Sequence, residues 1–384
     1  MIEPSYIEQF RNMETPFYFY DMDLLRETVK LAQTESARYG FEVHYALKAN
    51  NCVPILKTMV DAGLGADCVS GNEIKACLAA GFPSSKIAFA GVGKSDPEIE
   101  IALENNIFSF NCESIPEIEV INEIAGRMGK IAPIALRINP DVDPQTHEYI
   151  TTGLKDNKFG IGYRDFEEAG NLMHNLPNIQ LKGIHFHIGS QITDISVFET
   201  LSLKVNTISS WFEENGHHLE HINVGGGLGI NYTDPENEPV PDFKAYFKTF
   251  NDRVKLKPGQ KLHFELGRSL VGQCGQFITR VLYVKQGMEI QFLIVDGGMA
   301  ELIRPMLYKA YHQIVSLTSD QPARKYDVVG PICESTDVFA RGIDIKASQR
   351  GDLLAIRSVG AYGQVMASTY NMRNPVVAIF SDDL

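Results

Sequence analysis

A chain of 384 residues is too long for one ordinary small domain and suits two, or one large barrel with an appendage. With 44% hydrophobic and 22% charged residues it can bury a sizeable core, and a net charge of −13 argues against a nucleic-acid partner. No run approaches the roughly 20 apolar residues of a bilayer span, and the opening MIEPSYIEQF lacks the basic region and apolar stretch of a signal peptide.

Six cysteines, Cys52, Cys68, Cys77, Cys112, Cys274 and Cys333, are scattered without a C-x-x-C pair. They read as reduced, packed thiols of a cytoplasmic protein, with no metal site among them.

In chain order, FYFYDM comes first, before any repeating pattern. Eight strand-like runs follow: VHYALKA (43–49), GADCVS (65–70), KIAFAG (86–91), IFSFN (107–111), IAPIALRIN (131–139), IQLKGIHFHIG (179–189), LEHINVGGG (219–227) and KLHFELG (261–267). Helical spacing fills most gaps. VPILKTMVDAG puts Ile55, Leu56, Met59 and Val60 on one face, GNEIKACLAAG ends in Gly81, and SIPEIEVINEIAG carries proline in its first turn. About eight strand–helix units over about 220 residues predict a closed (β/α)8 TIM barrel, with an open doubly wound sheet as the alternative. DVDPQTHEYITTGLKDNKFGIG after the fifth strand is longer than the other connections and reads as a functional loop. Beyond Arg268 the runs are strand-like with one mixed interruption, RPMLYKAYHQIV (304–315), which predicts a C-terminal all-β domain of sandwich or barrel-like form. The expected domains are therefore 25–268 for the barrel, and 1–24 with 269–384 for the β domain.

HYALKANN places Lys48 at the end of a strand with apolar neighbours. Desolvating an ammonium costs several kcal/mol (about 2–7 for a polar group) unless it is paired. The lysine could snorkel, pair with a buried carboxylate, begin a loop, or serve as a nucleophile. Barrel chemistry sits at the carboxyl ends of the strands. The polar residues there are Lys48, Asp67, Ser70, Asn111, Arg137, Asn139, His185, His187, Ser190, Gln191, the glycines Gly225, Gly226 and Gly227, then Glu265, Gly267 and Arg268. Any one alone reads as a solvated strand end, but all of them together do not. Glycines after strand seven suit a phosphate held by backbone N–H groups. A lysine, a phosphate cradle, a histidine pair and a carboxylate are the groups that pyridoxal 5′-phosphate requires.

With those motifs in place, the chain closely resembles the pyridoxal-phosphate-dependent decarboxylases that have an alanine-racemase-like barrel, and within them the branch acting on diaminopimelate. HYALKAN, ADCVSGNEI, LRINPDV, TGLKDNKFGIG, HFHIGSQ, NVGGGLGI, ELGRSLV, GPICESTD and AYG match in order over nearly the whole chain. One departure is Leu266, where the family usually has proline.

The resemblance implies that Lys48 carries the cofactor, His187 stacks on its ring and Glu265 meets the pyridine nitrogen. It implies phosphate contacts around Gly226 and Gly227 and from Glu265 through Gly267 to Arg268, with Ser190 a further candidate. Asp67 and Tyr362 are expected near the cofactor. It further implies Cys333 as proton donor, Arg268, Arg304 and Tyr308 on the distal carboxylate of the substrate, Glu334 on its distal ammonium, and Tyr362 close by. The implied protein is a cytoplasmic homodimer whose GPICES loop reaches the partner's barrel, acting on a small amino acid and on no membrane or nucleic acid. The alternatives are a decarboxylase of another basic or carboxylated amino acid, a racemase, and a non-catalytic relative. The Cys333–Glu334 pair and the arginine clamp speak against a racemase, and retention of Lys48 and Cys333 speaks against the last.

Overall fold

The computed structural model describes residues 2–142 and 158–384. The chain divides into two compact units: Thr28–Gly229 with Asp242–Leu270, and Met1–Glu27 with Ile230–Pro241 and Val271–Leu384.

The chain first lays down β1 (Phe17–Tyr20), which belongs to the second grouping. The barrel then follows as β2 (Glu42–Ala46), β3 (Gly65–Cys68), β4 (Ile87–Phe89), β5 (Ser109–Cys112), β6 (Ala132–Arg137), β7 (Ile179–His185), β8 (His221–Asn223) and β9 (Lys261–Leu266). These strands are parallel in sequence order, and β9 returns to β2 to close the ring. The eight runs read from the sequence are these eight strands, and the open sheet is excluded. Parallel strands are covered on both faces, so their sequence is nearly continuously apolar.

Several helices start where the sequence supplies a cap. Ser70, Ser95 and Ser114 each precede a helix, and each is followed three residues later by glutamate (Glu73, Glu98, Glu117). At Ser95 both halves of the exchange are made, Glu98 accepting the Ser95 N–H at 3.0 Å; at Ser70 the hydroxyl accepts the Glu73 N–H at 3.2 Å, while Glu73 accepts the N–H of the preceding Val69 at 2.7 Å. Such a cap is worth about 1 kcal/mol per helix and sharpens the turn out of the strand.

The first barrel strand is shorter than its sequence suggests. It ends at Ala46, and Leu47–Ala49 form a single 3-10 turn carrying Lys48. Asn50 closes that turn, donating its N–H to Leu47 at 3.0 Å and receiving the Tyr45 hydroxyl on its own carbonyl at 2.7 Å. The long connection after β6 covers 141–162, of which 143–157 lie outside the described residues. Its return is anchored by a bridge between Ile138 and Ile161 and by the Gly160 N–H, which donates to Glu113 at 2.9 Å.

The other unit is an eight-stranded sheet. To β1 it adds β10 (Gly275–Gln286), β11 (Gln291–Val295), β12 (Ile314–Ser316), β13 (Ala323–Val329), β14 (Val338–Lys346), β15 (Leu353–Ile356) and β16 (Val377–Phe380). The main path is β12-β15-β10-β11-β13-β14, and β1 lies between β10 and β16. The unit is mostly sheet rather than wholly so. MIEPSYIEQF contributes a helix, Pro4–Arg11, because its apolar face has somewhere to go: Phe10 packs edge-on against Phe17 at 5.2 Å and Phe19 at 5.1 Å. Arg304–Tyr308 is a second short helix, inside the mixed interruption. The segment Ile230–Pro241, which the sequence reading kept with the barrel, belongs to this unit. Gln273 holds it by donating to the Asn231 carbonyl at 2.8 Å, as does an Arg357–Glu236 ion pair at 2.5 Å.

Inside the barrel, near the amino ends of the strands, lies a layer that the apolar pattern does not reveal. His44, His221 and His263 are buried together around Phe108. His44 Nε2 and His263 Nδ1 are hydrogen-bonded at 2.8 Å, and the Phe108 and His263 rings stack at 5.0 Å. Burial is the main cause holding all three imidazoles below their usual range, His221 down to about 3. Their folded pKa values lie below the unfolded value of about 6.5, so the unfolded chain takes up more protons as pH falls. Stability is therefore expected to be full above about pH 6.5 and to decline below it. The urea midpoint of unfolding at pH 5.5 should lie below that at pH 7.5. An unchanged midpoint would mean that these imidazoles take up protons in the native state.

Candidate active site

The carboxyl ends of the barrel strands bring the sequence-selected polar residues together. Lys48, on the turn after β2, donates to Asp67 of β3 at 2.5 Å. Asp67 is fully buried, whereas the lysine side chain keeps 38% of its exposure, so the ammonium reaches the mouth while its partner lies below it. Burial and the nearby Glu265 charge push the Asp67 carboxyl up, and the lysine only partly offsets them.

Glu265, in β9, is the hub. Its Oε1 accepts from Asn111 Nδ2 of β5 at 2.8 Å and from Asn223 Nδ2 of β8 at 2.7 Å. Its Oε2 is 2.9 Å from His185 Nε2 of β7. Burial alone would raise this carboxyl; His185, by charge and hydrogen bond, and Lys48 outweigh it, so Glu265 stays ionised well below the usual carboxylate range. His187 shows the opposite result. Burial, with the positive charges of Arg137 and Lys48, drives its imidazole well below the usual range, so the ring is neutral.

The glycine turn after β8 is shaped by close approach. Gly225 has φ +70°, and a Cβ there would sit 2.2 Å from the Phe186 carbonyl. A Cβ on Gly226 would sit 2.0 Å from the Glu265 carbonyl, so only a bare backbone can pass between β7 and β9. The turn is tied to the site: the Gly225 N–H donates to Asn223 Oδ1 at 2.9 Å and the Gly226 N–H to His187 Nδ1 at 3.3 Å. Gly227 accepts the Ile192 N–H at 2.8 Å. Across the mouth, Arg268 Nε and Nη2 donate to Ser190 Oγ at 3.3 and 3.1 Å. Gly267 lies against Ala46 and Ala49, on either side of the Lys48 turn. Leu266, the departure from the family pattern, ends β9 fully buried and in register with Tyr45 across the closing seam.

The remaining candidates lie in the sheet unit. Arg304 is buried, its guanidinium 5.9, 5.8 and 5.9 Å from the ring centres of Tyr232, Tyr308 and Tyr362. It also donates to the Tyr232 hydroxyl and to His312 Nε2, each at 3.3 Å. Glu334 is exposed and accepts the Tyr370 hydroxyl at 2.7 Å. Cys333 is a free, exposed thiol whose backbone N–H donates to Asn371 Oδ1 at 3.0 Å. The root of that loop is held by buried Asp337, which accepts the Ile332 and Met299 N–H groups, each at 2.7 Å. The sequence reading did not single out Asn223, Tyr232 or His312. Asn223 is marked only by standing two residues ahead of the triple glycine, and the other two have no local signal.

The mouth fits pyridoxal phosphate. It offers an amine on a turn, an ionised carboxylate, a neutral flat imidazole and a glycine turn beside an arginine. Three buried polar atoms around it, Asp67 Oδ1, Asn111 Oδ1 and His185 Nδ1, have no hydrogen-bond partner among the described residues, so the seat has unmet polar capacity toward a ligand.

These features define a pyridoxal-dependent barrel enzyme. The sequence profile of the pyridoxal-dependent decarboxylases, pyridoxal binding domain, matches residues 23–272. The chain is 53% identical to diaminopimelate decarboxylase of Bacteroides thetaiotaomicron, over 98% of both chains. It is 46% identical to that of Neisseria meningitidis serogroup B, over 96% of this chain and 88% of the relative. The crystal structure of diaminopimelate decarboxylase from Helicobacter pylori complexed with L-lysine superposes with a TM-score of 0.91 at 39% identity, covering 99% of this chain and 94% of that one. The chain belongs to the diaminopimelate decarboxylase family, and its cofactor is pyridoxal 5′-phosphate. Among the described residues no helix is long and apolar enough to cross a membrane.

Proposed function

We infer that the protein decarboxylates meso-2,6-diaminopimelate to L-lysine and CO2, the last step of lysine formation, working in the cytoplasm as a homodimer. When bound, pyridoxal phosphate supplies an electron-withdrawing ring for the electrons released as the carboxylate leaves.

The chain's own groups divide the remaining work. Lys48 supplies the amine for covalent attachment, and its Asp67 partner steers Nζ. Glu265 would keep a negative charge at the ring nitrogen, and neutral His187 would offer a flat face. The turn around Gly226 and Gly227, with Gly267, Arg268 and Ser190, takes the phosphate. Arg304, with Arg268 and Tyr308, holds the distal carboxylate, Tyr362 lies near the cofactor, Glu334 holds the distal ammonium, and Cys333 returns a proton to the carbon that loses CO2. In the homodimer the loop carrying Cys333 and Glu334 serves the partner's barrel.

Arg304 is the observation that carries the substrate reading. A buried guanidinium ringed by tyrosines is a costly feature that suits a carboxylate fork.

The test is lysine and CO2 release from meso-diaminopimelate, with and without added cofactor. Arg304→Ala is expected to lower kcat/KM for diaminopimelate by about 10²-fold, as truncation of a buried charge partner does, while pyridoxal phosphate affinity changes little. Equal loosening of the cofactor would remove the clamp assignment. Turnover of another basic amino acid in place of diaminopimelate would move the substrate.

A further inference from the structure

We propose that Asn223 is a positioning residue that registers the two ends of the cofactor seat, the Glu265 carboxylate that would meet the ring nitrogen and the glycine turn that would hold the phosphate. The proposal rests on the reading that pyridoxal phosphate spans Glu265 and the glycine turn.

One amide makes both contacts. Asn223 Oδ1 receives the Gly225 N–H at 2.9 Å, while Nδ2 donates to Glu265 Oε1 at 2.7 Å. The amide orientation follows from this chemistry: a backbone N–H needs an oxygen, and an ionised carboxylate needs a donor, so a flipped amide would lose both bonds. Asn223 is 1% exposed, so water cannot take over either bond.

Asn111 provides the contrast. It donates to the same Oε1 at 2.8 Å, but its own Oδ1 is buried without a hydrogen-bond partner among the described residues. Among the described residues Asn111 therefore touches Glu265 but not the turn, whereas Asn223 serves Glu265 and the turn together. The chain path shows why this is possible. β8 ends at Asn223, and the turn begins two residues later, so the last side chain of the strand reaches both the neighbouring strand and its own backbone.

The affinity ratio for pyridoxal phosphate over pyridoxal, which lacks the phosphate, isolates the turn end. The pH profile of the bound-cofactor absorbance isolates the ring end. Asn223→Ala is expected to lower the affinity ratio by about 10-fold and to shift the pH profile, as loss of a buried hydrogen bond at each end requires. Asn111→Ala should shift the pH profile but leave the ratio within about 2-fold. Asn223→Asp keeps an oxygen for the Gly225 N–H but sets a second carboxyl beside buried Glu265, where the pair must share a proton, so it should restore the ratio while shifting the profile. A thermal melt of each apoprotein identifies any variant that fails to fold, and Asn223→Ala and Asn223→Asp back each other up. An unchanged ratio in folded Asn223→Ala, or equal ratios in the alanine variants of Asn223 and Asn111, would overturn the proposal. Failure of the unmutated protein to bind pyridoxal phosphate at all would overturn the underlying reading of the seat, and this proposal with it.

Discussion

Lys48→Ala is expected to leave a folded protein that holds pyridoxal phosphate without a covalent link and turns over diaminopimelate at least about 10³-fold more slowly, within the range lost when a positioned catalytic group is removed. Borohydride should trap the cofactor on the unmutated chain and not on the variant, and peptide mapping locates the site. The variant should fold despite losing one half of an ion pair. Breaking a well-buried pair costs about 3–5 kcal/mol because a charge is stranded. Here the stranded group is Asp67, whose carboxyl burial and Glu265 already push toward the neutral form. It can take up a proton instead of remaining charged, at about 1.4 kcal/mol for each pH unit above its pKa. A folded variant that kept both the trapped adduct and turnover would remove Lys48 from the chemistry.

Glu265→Gln is expected to have the second largest effect, a fall in kcat of roughly 10²–10³-fold, the scale seen when one preorganised electrostatic contact is removed. Glutamine keeps the shape and keeps an oxygen for the donors Asn111 and Asn223. It replaces the other oxygen with an amide that faces His185 Nε2, so the imidazole must shift its proton to Nδ1, an atom with no hydrogen-bond partner among the described residues. The negative charge that would meet the ring nitrogen disappears while the packing remains. The discriminating result is therefore a lower kcat with the apoprotein melting temperature little changed. A kcat within about 3-fold of the parent would mean that the ring nitrogen does not depend on this carboxylate.

The barrel was legible because its strands are buried on both faces: runs such as IAPIALRIN contain little else but apolar residues, and glycine or asparagine closes them. The Lys48 turn was less so. Leu47 and Ala49 are as apolar as the strand before them, and the break is set by the hydrogen bonds of Asn50 and Tyr45, which no spacing rule captures. The N-terminal helix was missed because its apolar face becomes useful only once Phe17 and Phe19 are paired into a sheet whose other strands lie more than 250 residues on. Lys48, Glu265 and the triple glycine could be selected because each is unusual where it stands. Asn223, Tyr232 and His312 could not, since their neighbours in space come from distant parts of the chain. The buried histidines were hidden for a related reason: His44, His221 and His263 interrupt three apolar runs, and only closure of the barrel brings them together.

The seam between β2 and β9 pairs His44 with Glu265 and Tyr45 with Leu266, residues some 220 positions apart in a chain that must be made in order. The amine and the carboxylate of the cofactor seat flank this seam, and Gly267 packs on the turn that carries the amine. A nascent chain paused before Lys261 has the lysine but no strand to complete the ring. The cofactor seat is therefore complete only once the two ends of the barrel meet, and such long-range pairing is slow to form.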